Sequence, residues 1–287
     1  MQITHAEDSA QQGSIRGPER EFKTLLTGDE TSPDNFRLYF VRQTGEVDIP
    51  RHKHNFDQIR MCLEGDGQNF GPHKWIKSGE IAYFPEGTPY GPEQSNTPRL
   101  SITLQFGGAS GNGFVSNARI QNGMAELKAC GSFEKGVFTR VGELAPGQKR
   151  NQDSFEAIWE HVNQRKLVYP KPRYGDPILM KPANFDWQAV EGQPGLSERR
   201  LAVLSERQLQ LSMFKLEPNA RGALRSRGGV HVGFVVEGGG AANGEALRKY
   251  SAFSGNEDLM LSSPGGMEFL LVGLPIFKAP AALLAAE

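Results

Sequence analysis

Pro50-Arg51-His52-Lys53-His54-Asn55-Phe56-Asp57-Gln58 is the stretch on which the reading of this sequence turns. Along an extended strand, residues two apart project on the same face. His52 and His54 can therefore aim two imidazoles at one point, the arrangement a metal site requires. Gln58 follows a short Asn-Phe-Asp bend and could return an oxygen ligand from the next strand, which Gly65 closes.

Outward from this stretch, FRLYFV from Phe36, QIRMCLEG, EIAYFP and LSITLQF are short apolar or alternating runs. Gly65-Asp66-Gly67, Gly71-Pro72-His73, Pro85-Glu86-Gly87 and Asn96-Thr97-Pro98 punctuate them. Strands at such spacing predict a barrel or sandwich. Residues 1–34 are polar without sustained periodicity and are expected to form an arm. From about residue 113 the pattern turns helical. In SFEAIWEHVNQRKL (154–167), Phe155, Ile158, Trp159 and Val162 share one face, with Asp153 or Ser154 as the cap. Tyr169-Pro170-Lys171-Pro172 opens a proline-rich connector, so 113–190 is expected to link an N-terminal barrel (35–112) to a C-terminal one (191–287). LSERRLAVL, QLQLSMFKLEP, VHVGFVVEGGG and MEFLLVGLPIF repeat the strand-and-turn pattern.

His52-x-His54-x3-Gln58-x6-Gly65 resembles the first motif of the cupin superfamily, which has Glu where this chain has Gln58. Gly79-x5-Pro85-x-Gly87-x2-Tyr90-x3-Gln94 resembles its second, which ends on His and Asn where this chain has Tyr90 and Gln94. The resemblance spans roughly residues 36–106. It implies an all-β protein with minor helices, built of double-stranded β-helix (jelly-roll) barrels with the site inside. Six residues separate Gly45 from His52 where the family has five. The implied metal ligands are His52, His54 and Gln58. A phenol with a pKa of about 10 ligates only when deprotonated, so Tyr90 is a ligand or a hydrogen bonder beside one. Two histidines, a glutamine and a tyrosine suit Fe, Mn, Ni or Cu better than Zn.

Laid on the same frame, Val232–Gly238 matches Ile59–Gly65 and His231 falls at Gln58. Arg225 and Arg227 fall at His52 and His54, and Glu268 at Tyr90. Two guanidiniums repel a cation, so the chain reads as a bicupin with a degenerate second barrel. Arg225, Arg227, His231 and Glu268 form either an anion pocket or a salt-bridge cluster. In the first barrel, strand parity puts Gln58, Arg60 and Cys62 inward. Ile59, Met61 and Leu63 face outward, to be covered by the other domain or a second subunit. Arg60, with Tyr90, is a candidate catalytic residue. It either holds a substrate carboxylate or pairs with Glu80 or Glu86.

Composition narrows the function classes. A net charge of −1 over 287 residues gives no pull toward nucleic acid or an anionic membrane. No run of about 18 apolar residues spans a bilayer. MQITHAEDSAQQG has no signal-peptide core, and two cysteines, Cys62 and Cys130, make no disulfide framework, so the cytoplasm is expected. The expectation is a metal-dependent cupin enzyme on a small organic substrate, leaning to a dioxygenase. The alternative is a non-catalytic binding or sensor protein with a retired metal site. A homodimer is expected from the resemblance and from the outward apolar faces.

Overall fold

The computed structural model describes residues 1–13, 20–112, 114–134 and 136–277; the final part of the expected C-terminal barrel, 278–287, lies outside them. Two seven-stranded antiparallel sheets dominate. The first runs Ile178–Met180, Ile81–Phe84, Asp57–Gly65, Arg99–Phe106, Phe36–Gln43, Arg20–Thr27 and Gln11–Gly13. The second runs Gln2–His5, Ser251–Gly255, His231–Gly238, Met267–Gly273, Leu209–Leu216, Leu196–Leu204 and Gln188–Ala189. Shorter strands, including Val47–Ile49 with Glu93–Ser95 and Ala220–Leu224 with Leu259–Ser263, form the opposing walls.

The two sheets exchange edges. Gln2–His5 precedes the first barrel but pairs with Ser251–Gly255 of the second. Ile178–Met180 precedes the second barrel but pairs with Ile81–Phe84 of the first. The polar stretch 1–34 thus carries three strands. Its periodicity is hidden because Arg20–Thr27 bulges between Thr24 and Leu26, which lets adjacent Leu25 and Leu26 both be buried.

Apolar outward faces hold the halves together. Leu38, Phe40, Ile59, Met61, Ile102 and Leu104 of the first sheet form one core with Leu209, Leu211, Met213, Val232, Phe234 and Leu270 of the second. Ile59 and Met61 are thereby buried by the other domain, and Leu63 packs beside them. That accounts for the outward faces without a second subunit, so a homodimer rests on the family resemblance alone.

The middle segment forms α1 (Asn117–Leu127) and α2 (Ser154–Asn163) beside a three-stranded sheet. Asp153 caps α2 by accepting from the Glu156 N–H at 3.0 Å. Ala157, Ile158 and Trp159 are buried, while Phe155 reaches the mouth of the first barrel. Arg173 on the connector clamps the halves, donating to buried Glu86 at 2.6 Å and to Glu206 at 2.6 Å.

Candidate metal centre in the N-terminal barrel

The inner face of the first barrel mixes polar side chains with a small apolar cluster of Cys62, Phe70, Ile76, Ala82, Phe84 and Tyr90, while the apolar residues of the opposite face join the other domain. On Arg99–Phe106, Ile102 and Leu104 join the interdomain core, which leaves Ser101, Thr103 and Gln105 on the inner face. On the neighbouring strand Gln58, Arg60 and Cys62 share that face, with Arg60 paired to Ala82 and Thr103. The small Ala82 leaves Arg60 room to cross the barrel toward Phe84 and Tyr90.

His52 and Tyr90 arrive from opposite walls. Their backbones form an isolated antiparallel bridge. The turn before Tyr90 needs Gly87, whose φ is +76° and where a Cβ would lie 2.3 Å from the Pro170 carbonyl oxygen. The His52 Nδ1 lies 2.8 Å from the Pro50 carbonyl oxygen, which can only accept. Nδ1 therefore carries the proton, and Nε2 presents a lone pair toward the Tyr90 hydroxyl at 3.1 Å. The Tyr90 oxygen also accepts from Gln58 Nε2 at 3.1 Å and from Arg60 Nη2 at 2.8 Å. The Gln58 Oε1 accepts from Gln105 Nε2 at 3.2 Å and from Arg60 Nη2 at 3.3 Å.

His52, Gln58, Arg60 and Tyr90 are thus in direct polar contact. His54 stands beside them. Its ring is 5.0 Å from that of His52 and 6.0 Å from that of Tyr90, stacked on Phe56 at 4.5 Å with the α2 residue Phe155 edge-on. His54, Gln58, Arg60 and Tyr90 are buried, whereas His52 is half-exposed at the mouth.

Deeper in the barrel Arg60 Nη1 donates to Glu93 at 2.6 Å; Glu80 and Glu86 have other partners. Arg20 reaches the same carboxylate at 3.5 Å and Gln68 at 3.4 Å. Burial alone would raise the Glu93 pKa, but the Arg60 and Arg20 guanidiniums, with His52, hold it far below the usual carboxylate range. Arg99 is also buried, and its Nε and Nη1 have no hydrogen-bond partner among the described residues. Burial first, and then Arg20, press its pKa down to about 10. Glu93, Arg20, Arg99, Gln68 and Gln105 were not singled out from the sequence. Only Gln105 has a signal, the alternation of Ser101, Thr103 and Gln105 with Ile102 and Leu104, which share the register of Met61 and Ile59.

The donor set can be tested against a metal. Among the described residues no cluster of three His, Cys, Asp or Glu could hold one, so a centre here depends on Gln58 and Tyr90 oxygen. Two adjacent ligands each about 2.1 Å from a metal stand about 3.0 Å apart in octahedral geometry. The spacings of 3.1 Å from Tyr90 Oη to His52 Nε2 and to the Gln58 amide match that edge. Anchoring Nδ1–H on a backbone carbonyl, as in His52, is the usual way a ligating histidine is oriented. Turning the Gln58 amide over would present its oxygen, at the cost of the hydrogen bonds that this oxygen accepts from Gln105 Nε2 at 3.2 Å and from Arg60 Nη2 at 3.3 Å. Arg60 would offset the charge of a tyrosinate. The residues present fit a divalent transition metal.

The second barrel keeps the frame but not the chemistry. His231 pairs across the ladder with Gly273 as Gln58 does with Gln105, and Arg60 is replaced by Gly233. A Cβ at Gly233 would meet the Phe253 ring at 2.0 Å, so an aromatic fills the space that Arg60 takes in the first barrel. The Ala220–Leu224 and Leu259–Ser263 pairing runs on to Arg225 and Asp258, an ion pair at 2.6 Å where His52 faces Tyr90. Asp258, not Glu268, therefore holds the place of Tyr90. Glu268 lies on Met267–Gly273, opposite Glu237 and ion-paired to Lys215. Counting glycines in the sequence misplaced it because this half has a shorter connection between the two motifs.

No protein-family model matches the chain, and no curated protein matches it either. Solved structures do. *Streptomyces albus* HEPD with 2-hydroxyethylphosphonate and Fe(II) bound is 13% identical, with 99% of this chain and 78% of that one covered at a TM-score of 0.59. *Bacillus subtilis* oxalate decarboxylase, a protein with Mn(II) centres, is 13% identical over 96% and 78% at 0.55. A *Nostoc punctiforme* protein provisionally described as a dioxygenase is 12% identical over 97% and 84% at 0.59. The fold is that of a bicupin: two jelly-roll barrels in one all-β chain.

Proposed function

We propose that the N-terminal barrel is a metal-dependent cupin centre acting on a small organic anion, with dioxygenation as the favoured reaction. The observation that carries this reading is the convergence of the His52 Nε2 lone pair, the Gln58 amide and the Tyr90 hydroxyl, each side chain held by a partner behind it. His52, His54 and Gln58 would hold the metal, with Tyr90 as a fourth ligand or a hydrogen bonder. The metal would supply Lewis-acid polarisation or, as iron, dioxygen activation. Arg60 spans the Tyr90 oxygen and Glu93, and the buried cations Arg20 and Arg99 make the interior favourable to negative charge. A carboxylate or phosphonate entering past half-exposed His52 would meet Tyr90, with Arg60 behind it. His54, stacked on Phe56 and met edge-on by Phe155, walls the mouth against water. The structural neighbours that act on oxalate or bind 2-hydroxyethylphosphonate, both small organic anions, support this class.

A second reading has its own observation. The Tyr90 hydroxyl donates once and accepts twice, so its hydrogen bonding is complete with protein groups alone. A non-catalytic binding barrel with a retired metal site is consistent with that. Oxygen uptake by metal-loaded protein with a panel of catechols, hydroxybenzoates, β-diketones and hydroxyphosphonates separates the readings. Substrate-dependent uptake lost in Tyr90→Phe supports the first; binding without uptake supports the second.

A further inference from the structure

Beyond the proposed centre, a cavity of about 140 Å³ lies in the mouth of the C-terminal barrel. Glu198, Gln210, Ser212, Arg225, Arg227 and His231 supply its polar lining. Its charges are settled except for one. Glu198 is held by Arg200 at 3.0 Å and accepts from the Ser212 hydroxyl at 2.6 Å. Arg225 is paired to Asp258 at 2.6 Å. Arg227 touches only Gln208, at its carbonyl oxygen (3.4 Å) and its Oε1 (3.1 Å), and has no carboxylate partner among the described residues.

The second observation is independent of the first. His231 is only 8% exposed, yet its Nε2 has no hydrogen-bond partner among the described residues. Leaving a buried polar atom unpaired is unfavourable, and a ligand would relieve it. Arg227 and His231 stand together. Gly273 faces His231 across the ladder, and the Arg227 Nη1 lies 3.2 Å from where a Cβ on Gly273 would be. Phe214, Leu259 and Leu271 line the cavity without polar side-chain atoms. The site thus has a cationic, donor-bearing rim and an apolar wall.

We propose that the mouth of the C-terminal barrel is a second ligand site, for a small organic carboxylate. Arg227 holds the carboxylate, the otherwise unpartnered His231 Nε2 donates to it in the Nε2–H tautomer that the ligand selects, and the short apolar chain lies against Phe214, Leu259 and Leu271. The volume, on the order of five waters, suits an acid of three to five carbons. The site needs no metal and does not depend on the function proposed for the first barrel.

The test is calorimetric titration of the full chain with butyrate, its neutral isostere butyramide and inorganic phosphate. Wild-type protein is expected to bind butyrate and not butyramide. Arg227→Gln and His231→Gln are each expected to weaken butyrate binding about tenfold, as removal of a charge-assisted or buried hydrogen bond does. Lys149→Gln, which removes the same charge from an exposed site, should bind as wild type does. Absence of butyrate binding up to about 20 mM, a concentration at which a site of millimolar affinity is nearly saturated, overturns the proposal. So does equal binding of butyramide, or butyrate binding indifferent to Arg227→Gln. Phosphate binding that displaces butyrate would reduce the site to a general anion site and overturn the carboxylate assignment.

Discussion

His52 and Tyr90 are joined twice. Their backbones exchange N–H···O bonds of 3.0 and 2.9 Å, and the Tyr90 hydroxyl donates to the His52 Nε2 at 3.1 Å. The backbone bridge fixes the two walls of the barrel mouth, and the side-chain bond places a phenol oxygen where the family has an imidazole.

Removing the Tyr90 hydroxyl strands its partners. In Tyr90→Phe the buried Gln58 Nε2 and Arg60 Nη2 each lose an acceptor and the His52 Nε2 loses a donor. Loss of about 1–3 kcal/mol of stability is expected, read from urea unfolding of apo protein. A variant as stable as wild type would show that the network is not formed.

Placing at Gln58 the acidic ligand of the cupin motif that this stretch resembles should strengthen the proposed centre. Gln58→Glu adds a carboxylate beside the His52 Nε2 and the Tyr90 oxygen, so metal affinity in chelator competition should rise at least about tenfold. Unchanged or weaker affinity would mean that Arg60, 3.3 Å from the Gln58 oxygen, captures the new charge and that the metal does not sit there.

The Glu93 carboxylate offsets a buried cationic group. Glu93→Gln leaves Arg60, Arg20 and Arg99 facing one another, at a cost of about 3–5 kcal/mol near neutral pH. The Glu93 pKa lies below its unfolded value. Its contribution is therefore present above pH of about 4.5 and is lost as pH falls from there toward the folded-state value. The gap between wild type and variant should narrow as pH is lowered from 6 to 3. A gap independent of pH would contradict the assignment.

The two barrels should unfold together. Ile59 and Met61 share one core with Leu211, Met213 and Phe234 of the other half, and each sheet borrows an edge strand from across the boundary. Calorimetry should give one transition, and Leu211→Ala should shift the whole of it downward, destabilising the fold by about 2–5 kcal/mol as loss of a buried leucine does. Two separable transitions would show that the halves are independent.

Much of this was legible in the sequence, for identifiable reasons. His52-x-His54 and the glycines mark strand ends whose backbone demands are local: Gly65 has φ +99° with the Pro98 carbonyl oxygen 2.4 Å from a would-be Cβ. Strand parity separates inward Arg60 from outward Ile59 and Met61, because Ile59, Met61 and Leu63 are consecutive on one face and all apolar. What parity cannot give is a partner brought in from another wall. Glu93 lies in the sequence Pro92-Glu93-Gln94 with no periodic signal, yet it is the carboxylate that Arg60 meets. The edge strand Gln2–His5 was equally hidden, since its pairing to Ser251–Gly255 is a contact between chain segments far apart.

The most direct test of the central claim is metal analysis by plasma mass spectrometry on protein purified without a histidine tag, beside His52→Ala/His54→Ala. The account predicts close to one transition-metal ion per wild-type chain and none in the double variant. Wild-type protein that stays metal-free after reconstitution with iron, manganese, nickel and copper, or a double variant that keeps its metal, would contradict it.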